Sequence, residues 1–379
     1  MTRSRRVEIA RRPPNARGIE FILAGGAGVG LGHVVRCAAI AVEARTRGWD
    51  VRAFLDGDHA ARATWKALSG EAIEGGSQDW QASPAYSVAA LDFPNEKHAW
   101  LERLSRAGVR SLLIDDTRGA RRADWTLLPG LHHSLDAGPN HAREPADGNR
   151  LFCGARYAIL PEAHRRASRT PLKGRDRVLL SLGGADPHRL TPILAPILID
   201  TLRRYAGQIP ATTLDVVLGA AYEDPGQMLK SRLEARGAHV FRALDASAMA
   251  ERMRRARVAV IGFGTSLTEL AWHGTPFLTV THHESDRAPA RDLEANGLGR
   301  VLGTASRLDP QRVERRIVRA LLDREWLEDS SDLAYHMLRG GMGVRHLLER
   351  LEDSLSHRSN RATPDQLGGE STGGLAPSR

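Results

Sequence analysis

A histidine directly after a run of glycines is the first feature of this chain that could do chemistry. It lies in Gly28-Val29-Gly30-Leu31-Gly32-His33-Val34-Val35-Arg36-Cys37. The apolar run from Ile19 to Ala24 reads as a strand, and Ala38 to Ala44 has the apolar spacing of a helix. Glycines at such a junction adopt positive φ and let a ligand reach bare backbone. The unpaired amides of the helix start attract anions, so a phosphate-bearing ligand fits there. His33 falls in the first helical turn, where the positive end of the dipole disfavours an imidazolium. A neutral imidazole accepts a proton from water or a hydroxyl, which makes His33 the candidate general base. The competing role is a plain backbone hydrogen bond at the helix start.

Two later turns repeat this logic. Ser181-Leu182-Gly183-Gly184-Ala185-Asp186-Pro187 follows a strand, and the amides of Gly183 and Gly184 suit a diphosphate as well as they suit an ordinary tight turn. Gly262 to Pro276 compresses strand, glycine turn, short helix and next strand into one unit. There Gly264 lets a base lie against the backbone, Thr265 and Ser266 open the helix, and Glu269 is placed to accept hydrogen bonds from the vicinal hydroxyls of a ribose. Ser266 and Glu269 also have capping-box spacing, so a purely helix-stabilising role stays open. Asp115-Asp116 ends a strand and either contacts substrate or closes a turn.

Other chemistries find less support. His132-His133 and His282-His283-Glu284 lack spaced third and fourth ligands, so neither a metal nor another cofactor is expected. His33 stands where the dinucleotide fingerprint needs a glycine, and no Gly-Lys-Ser/Thr follows either turn. The 379 residues carry a formal charge of +9, but residues 1–17 hold six arginines against Glu8 and so account for +5 of it. Only four lysines and 5% aromatic residues occur, which argues against a nucleic-acid surface. Two cysteines, Cys37 and Cys153, give no disulfide framework. With no apolar signal core and no stretch near the ~20 residues of a membrane span, a cytoplasmic protein without an integral membrane segment is expected.

The elements that must position these residues alternate short apolar strands with helical segments. Val51–Leu55, Val88–Leu91 and Leu112–Asp115 read as buried strands of a parallel sheet. After the charged, proline-bounded stretch Pro161–Gly174 the alternation restarts at Val178. The expected organisation is a disordered basic arm (1–17), an α/β domain with the first glycine turn (18–160), a linker (161–176), a second α/β domain (177–355) and a disordered tail (356–379). Pro310 to Leu355 should form an amphipathic outer layer. Two such Rossmann-like domains leave a cleft facing the carboxyl ends of both sheets.

With those residues in place, the chain resembles the UDP-2,4-diacetamido-2,4,6-trideoxy-β-L-altropyranose hydrolases of pseudaminic acid biosynthesis. It resembles more distantly the peptidoglycan transferase that uses UDP-N-acetylglucosamine. The likeness covers Gly18 to Gly303 and rests on the run from Gly30 through Gly32, His33 and Arg36 to Cys37. Leu113 to Asp116, Cys153 to Leu160, Leu182 to Pro187 and Gly262 to Pro276 support it. The resemblance implies the glycosyltransferase B fold, a UDP-sugar as partner, no metal, water activated by His33 and ribose held by Glu269. It also places Gly30, Gly32, Arg36, Asp115, Asp116, Glu284, Ser285 and Asp286 on the sugar side, and Gly183, Gly184, Gly264, Thr265 and Ser266 on the nucleotide side. Two departures fall in the sugar pocket. Ser285-Asp286 replaces the amide pair of the hydrolases, and Asp92 is followed by Phe93-Pro94 where they carry a tyrosine. An inverting glycosyltransferase with the same donor is the alternative, and a non-catalytic nucleotide-sugar-binding protein is the third reading.

Overall fold

The computed structural model describes residues 17–27, 29–94, 97–116, 122–134, 151–210, 213–338 and 343–359. Gly28, most of the basic arm and the tail beyond Ser359 lie outside them. The strands β1 (Gly18–Gly25), β2 (Asp50–Gly57), β3 (Ile73–Gly75), β4 (Val88–Asp92), β5 (Arg110–Ile114), β6 (Trp125–Leu128) and β7 (Leu151–Cys153) form one sheet, in the order β3-β2-β1-β4-β5-β6-β7. A second sheet contains β8 (Arg177–Ser181), β9 (Thr213–Leu218), β10 (His239–Arg242), β11 (Ala256–Gly262), β12 (Phe277–Thr281) and β13 (Arg300–Thr304), in the order β10-β9-β8-β11-β12-β13. All pairings are parallel.

Both sheets are sandwiched by helices, so their central strands are buried along their whole length, as the continuous apolar runs require. Each order reverses once, between β1 and β4 in the first sheet and between β8 and β11 in the second. Open α/β sheets bind ligands at such switch points, beyond the carboxyl ends of the strands. The glycine turns after β1, β8 and β11 and the aspartate that ends β4 all occupy those places. Among the described residues no helix is long and apolar enough to cross a membrane.

Two boundaries differ from the sequence reading. The helix Gly343–Ser359 leaves the second domain and packs on the first, where Val344, Leu347, Leu348 and Leu351 share a core with Ile19, Phe21 and Trp49. Arg47 and Trp49 both donate to Glu352. An amphipathic pattern shows that a helix covers something but not which sheet it covers, so the span 177–355 is not one structural unit. The crossing is tight: a Cβ on Gly343 would stand 2.1 Å from the Ala158 carbonyl oxygen. The segment 161–176 is likewise no free linker, since it holds the short helix Glu162–Arg166 and buries His164 and Arg175.

Candidate functional site

The first glycine turn closes through a bridge between Gly26 and Gly30, and Gly30 has φ +90, a conformation that suits glycine. Gly32 opens the helix Gly32–Thr46, whose first amides receive no side-chain cap. Its Val34, Cys37, Ala38 and Ala41 are buried against the sheet, and the same face presents His33 and Arg36 to the carboxyl ends of β4 and β5.

Asp92, the last residue of β4, is fully buried and organises this corner. His33 Nδ1 lies 2.6 Å from Asp92 Oδ1. Arg36 donates from Nε to Asp92 Oδ2 at 2.5 Å, from Nη2 to Asp92 Oδ1 at 2.6 Å and from Nη1 to Asp115 Oδ2 at 2.6 Å. Nη2 also stands 3.0 Å from His33 Nδ1. Both groups are donors around one shared oxygen, so that last contact is proximity and not a bond. Burial by itself would raise the Asp92 and Asp115 pKa values. The charge of Arg36 outweighs it and holds both carboxyls below their ordinary range. Arg36, which burial would lower, is held above its ordinary value by the same two carboxylates.

The consequence for His33 follows from proton accounting. With Nδ1–H committed to an ionised Asp92, the other nitrogen, Nε2, keeps its lone pair. The His33 side chain remains 21% exposed, whereas Asp92 is fully enclosed. An imidazole fixed in one tautomer, backed by a carboxylate and open on its other side, is equipped to take a proton from an incoming nucleophile. The backbone-bond role for His33 therefore gives way to a side-chain dyad.

The remaining sugar-side candidates separate. Asp115 has φ 58 and turns its carboxylate between Arg36 and His133, whose Nε2 is 3.7 Å away. Asp116 faces Lys97 at 3.8 Å, and Lys97 donates to the Ile114 carbonyl, so this residue braces the end of β5. Asp286 accepts from the His283 amide and from Ser285 Oγ, each at 3.3 Å. Burial raises its pKa, and the charge of Asp115 across the cleft adds to the shift. Ser285 and Glu284 are exposed, and Glu284 pairs with Arg287 and Arg307 at 3.7 and 3.8 Å.

The nucleotide-side candidates converge. Gly183 has φ +84, and a Cβ on Gly184 would meet Leu31 Cγ at 2.9 Å, so the second glycine turn touches the first across the domains. Asp186 locks that turn by accepting from the amides of Leu190 and Thr191. A Cβ on Gly32 would lie 3.6 Å from Thr265 Oγ1, and the Phe263 ring stands 5.4 Å from His132. The helix Ser266–Trp272 begins after Thr265 without a side-chain cap hydrogen bond, so the capping-box role of Ser266 and Glu269 is not realised. Glu269 is 8% exposed, and His164 Nε2 lies 3.9 Å from its Oε1.

The sequence reading did not single out Asp92, His164 or His273 as functional. For Asp92 a signal existed, an acidic residue ending a buried strand that pairs with β1. For the histidines none did, because they meet only where the joining segment packs on the second domain.

No protein-family model matches the chain, and no curated sequence matches it. Solved structures do match. The MnaA–UDP complex of S. aureus has a TM-score of 0.60 at 11% identity, over 93% of this chain and 100% of that one. The glycotransferase of kitacinnamycin has a TM-score of 0.57 at 15% identity, over 91% and 100%. MurG of Acinetobacter baumannii has a TM-score of 0.54 at 15% identity, over 89% and 99%. With two parallel α/β sheets of its own and these structures matched along most of its length, the chain has the glycosyltransferase B fold, two Rossmann-like domains facing a cleft.

Proposed function

We propose that this chain hydrolyses a UDP-linked sugar. Water attacks the anomeric carbon, its proton passes to His33 Nε2, a new C–O bond forms, and the anomeric bond to the diphosphate breaks with its electron pair leaving on UDP. The observation that carries this reading is the 2.6 Å contact of His33 with buried Asp92 at the switch point of the first sheet. The uncapped amides after Leu31 and the turn at Gly183-Gly184 are suited to the developing negative charge of the diphosphate. Glu269 would hold the ribose, and Gly264, Thr265 and Ser266 would line the base and phosphate side. The carboxylates of Asp115 and Asp286 only accept hydrogen bonds, so they suit a sugar that offers free hydroxyls or an amine. The S. aureus neighbour was captured with UDP, which supports the choice of nucleotide.

The likeness to a glycotransferase and to MurG favours one second reading, an inverting transfer in which His33 takes the proton of an acceptor hydroxyl. Following nucleotide release from UDP-, CMP- and GDP-sugars, with and without acceptors, separates the two. Hydrolysis gives acceptor-independent release of UDP, and His33→Ala is expected to lower it by roughly 10²–10⁴ while UDP binding persists. Normal turnover by a folded His33→Ala protein would remove His33 from the mechanism.

A further inference from the structure

The reaction described above leaves unassigned the carboxylate that holds the first glycine turn in shape. Within that turn the Gly26 amide donates to the Gly30 carbonyl at 3.0 Å, and the amides of Val29 and Gly30 both donate to the Gly26 carbonyl, at 3.2 and 2.7 Å. The Ala27 amide points out of the turn and donates to Asp58 Oδ2 at 2.8 Å. These four amides are committed before any ligand arrives. The turn is therefore a brace for the helix that follows it, which opens at Gly32 and carries His33.

Asp58 lies 31 positions beyond Ala27. It follows β2, whose last residue, Gly57, is level with Gly25 at the end of β1. The strands run so close there that a Cβ on Gly57 would stand 2.6 Å from the Gly25 carbonyl oxygen. Gly26, with φ +124, then passes directly over the carboxylate, and a Cβ on it would lie 2.5 Å from Asp58 Oδ2. The other oxygen, Oδ1, accepts from the Ala61 amide at 2.9 Å and caps the helix His59–Ser69. Hydrogen bonds from the amides of Ala61 and Ala27 hold this carboxyl below its ordinary pKa range, so it is ionised at neutral pH. A serine would cap the helix as well as an aspartate does, but it brings one oxygen on a shorter arm. Capping alone does not require a carboxylate at this place. Capping the helix and holding the turn together do.

We propose that Asp58 is a positioning residue for the reacting corner: by tying Ala27 to the start of a second helix, it fixes the turn from which Gly32 and His33 enter the cleft, and so sets where the His33 ring meets Asp92. This rests on the reading of His33 as the base that activates water.

Asp58→Ser tests it, because serine keeps the helix cap and withdraws the oxygen that holds Ala27. UDP release, from whichever of the nucleotide sugars named above the native protein turns over, should show kcat lowered about 10- to 100-fold, the scale on which a displaced catalytic group acts. KM, UDP affinity and melting temperature should stay close to native. Hydrogen exchange should show the Ala27 amide released in the variant and the Ala61 amide still protected. Unchanged kcat overturns the proposal, and so does a lowered melting temperature with native turnover per folded molecule, which would leave Asp58 a helix cap only. A loss of UDP affinity as large as the loss of kcat overturns it too. If Asp58→Ser does not fold, exchange in the native protein decides: an Ala27 amide protected like that of Ala61 is expected, and one that exchanges freely overturns the proposal. Normal turnover by His33→Ala would instead remove the reading of the reaction, and it would leave the exchange result untouched.

Discussion

Arg36 and Arg175 are both buried, one in the first domain and one in the segment that joins the domains, and their surroundings differ in kind. Arg36 meets charge with charge: its three nitrogens reach the carboxylates of Asp92 and Asp115. Arg175, 2% exposed, meets only neutral oxygens, namely the carbonyls of Thr170, Ala256 and His273 and the hydroxyl of Thr275. Burial, with the nearby charges of Arg169 and Arg254, pulls its pKa down to about 9, still protonated at neutral pH. A guanidinium held by carbonyls fastens chain segments together. A guanidinium held by carboxylates leaves charge and an oriented imidazole at the cleft. The first arrangement is an anchor for the segment joining the domains, and the second is the proposed site.

The sharpest way to break this comparison is Asp92→Asn. Asparagine preserves the shape but removes the charge and lets an amide N–H face His33 Nδ1, which favours the wrong tautomer. UDP release should fall by roughly 10²–10⁴, equivalent to about 3–5 kcal/mol of barrier. Near-native turnover would make Asp92 only a partner for Arg36.

For the other hub, Arg175→Met leaves buried carbonyls without donors, each costing about 1–3 kcal/mol, partly offset by no longer burying a cation. A net loss of about 2–4 kcal/mol in denaturant unfolding is expected, with turnover per folded molecule retained. A variant that unfolds like the native protein would refute the anchoring role.

The smallest effect is a pH dependence that separates the two regions. His273 is held neutral down to about pH 3, against an ordinary value of 6.5. Below 6.5 the unfolded chain binds a proton that the folded chain refuses, so stability falls as pH falls, by about 2–3 kcal/mol at pH 4.5. Asp92 and Asp115 are depressed from an ordinary value of 3.8, so their contribution is lost only below that point. Urea unfolding should therefore weaken in two windows, and His273→Asn should flatten the upper one. An upper window that persists in that variant would assign it to another group.

Much of this architecture was legible in the chain itself. Continuous apolar runs such as Val88–Leu91 and Val258–Ile261, short and rich in β-branched residues or bounded by turns, read as strands buried on both faces, and glycines such as Gly30 and Gly183 mark turns that need positive φ. Local chemistry also placed His33 at a helix start and Glu269 one turn into another helix. Tertiary structure alone decided which charges meet. Asp92 lies 59 positions from His33, and only the pairing of β1 with β4 brings them to 2.6 Å. The return of the helix Gly343–Ser359 to the first domain was likewise invisible, because an apolar stripe does not name its partner. His164 and His273 lie 109 positions apart, and only the packing of the joining segment on the second domain brings their ring nitrogens to 3.1 Å.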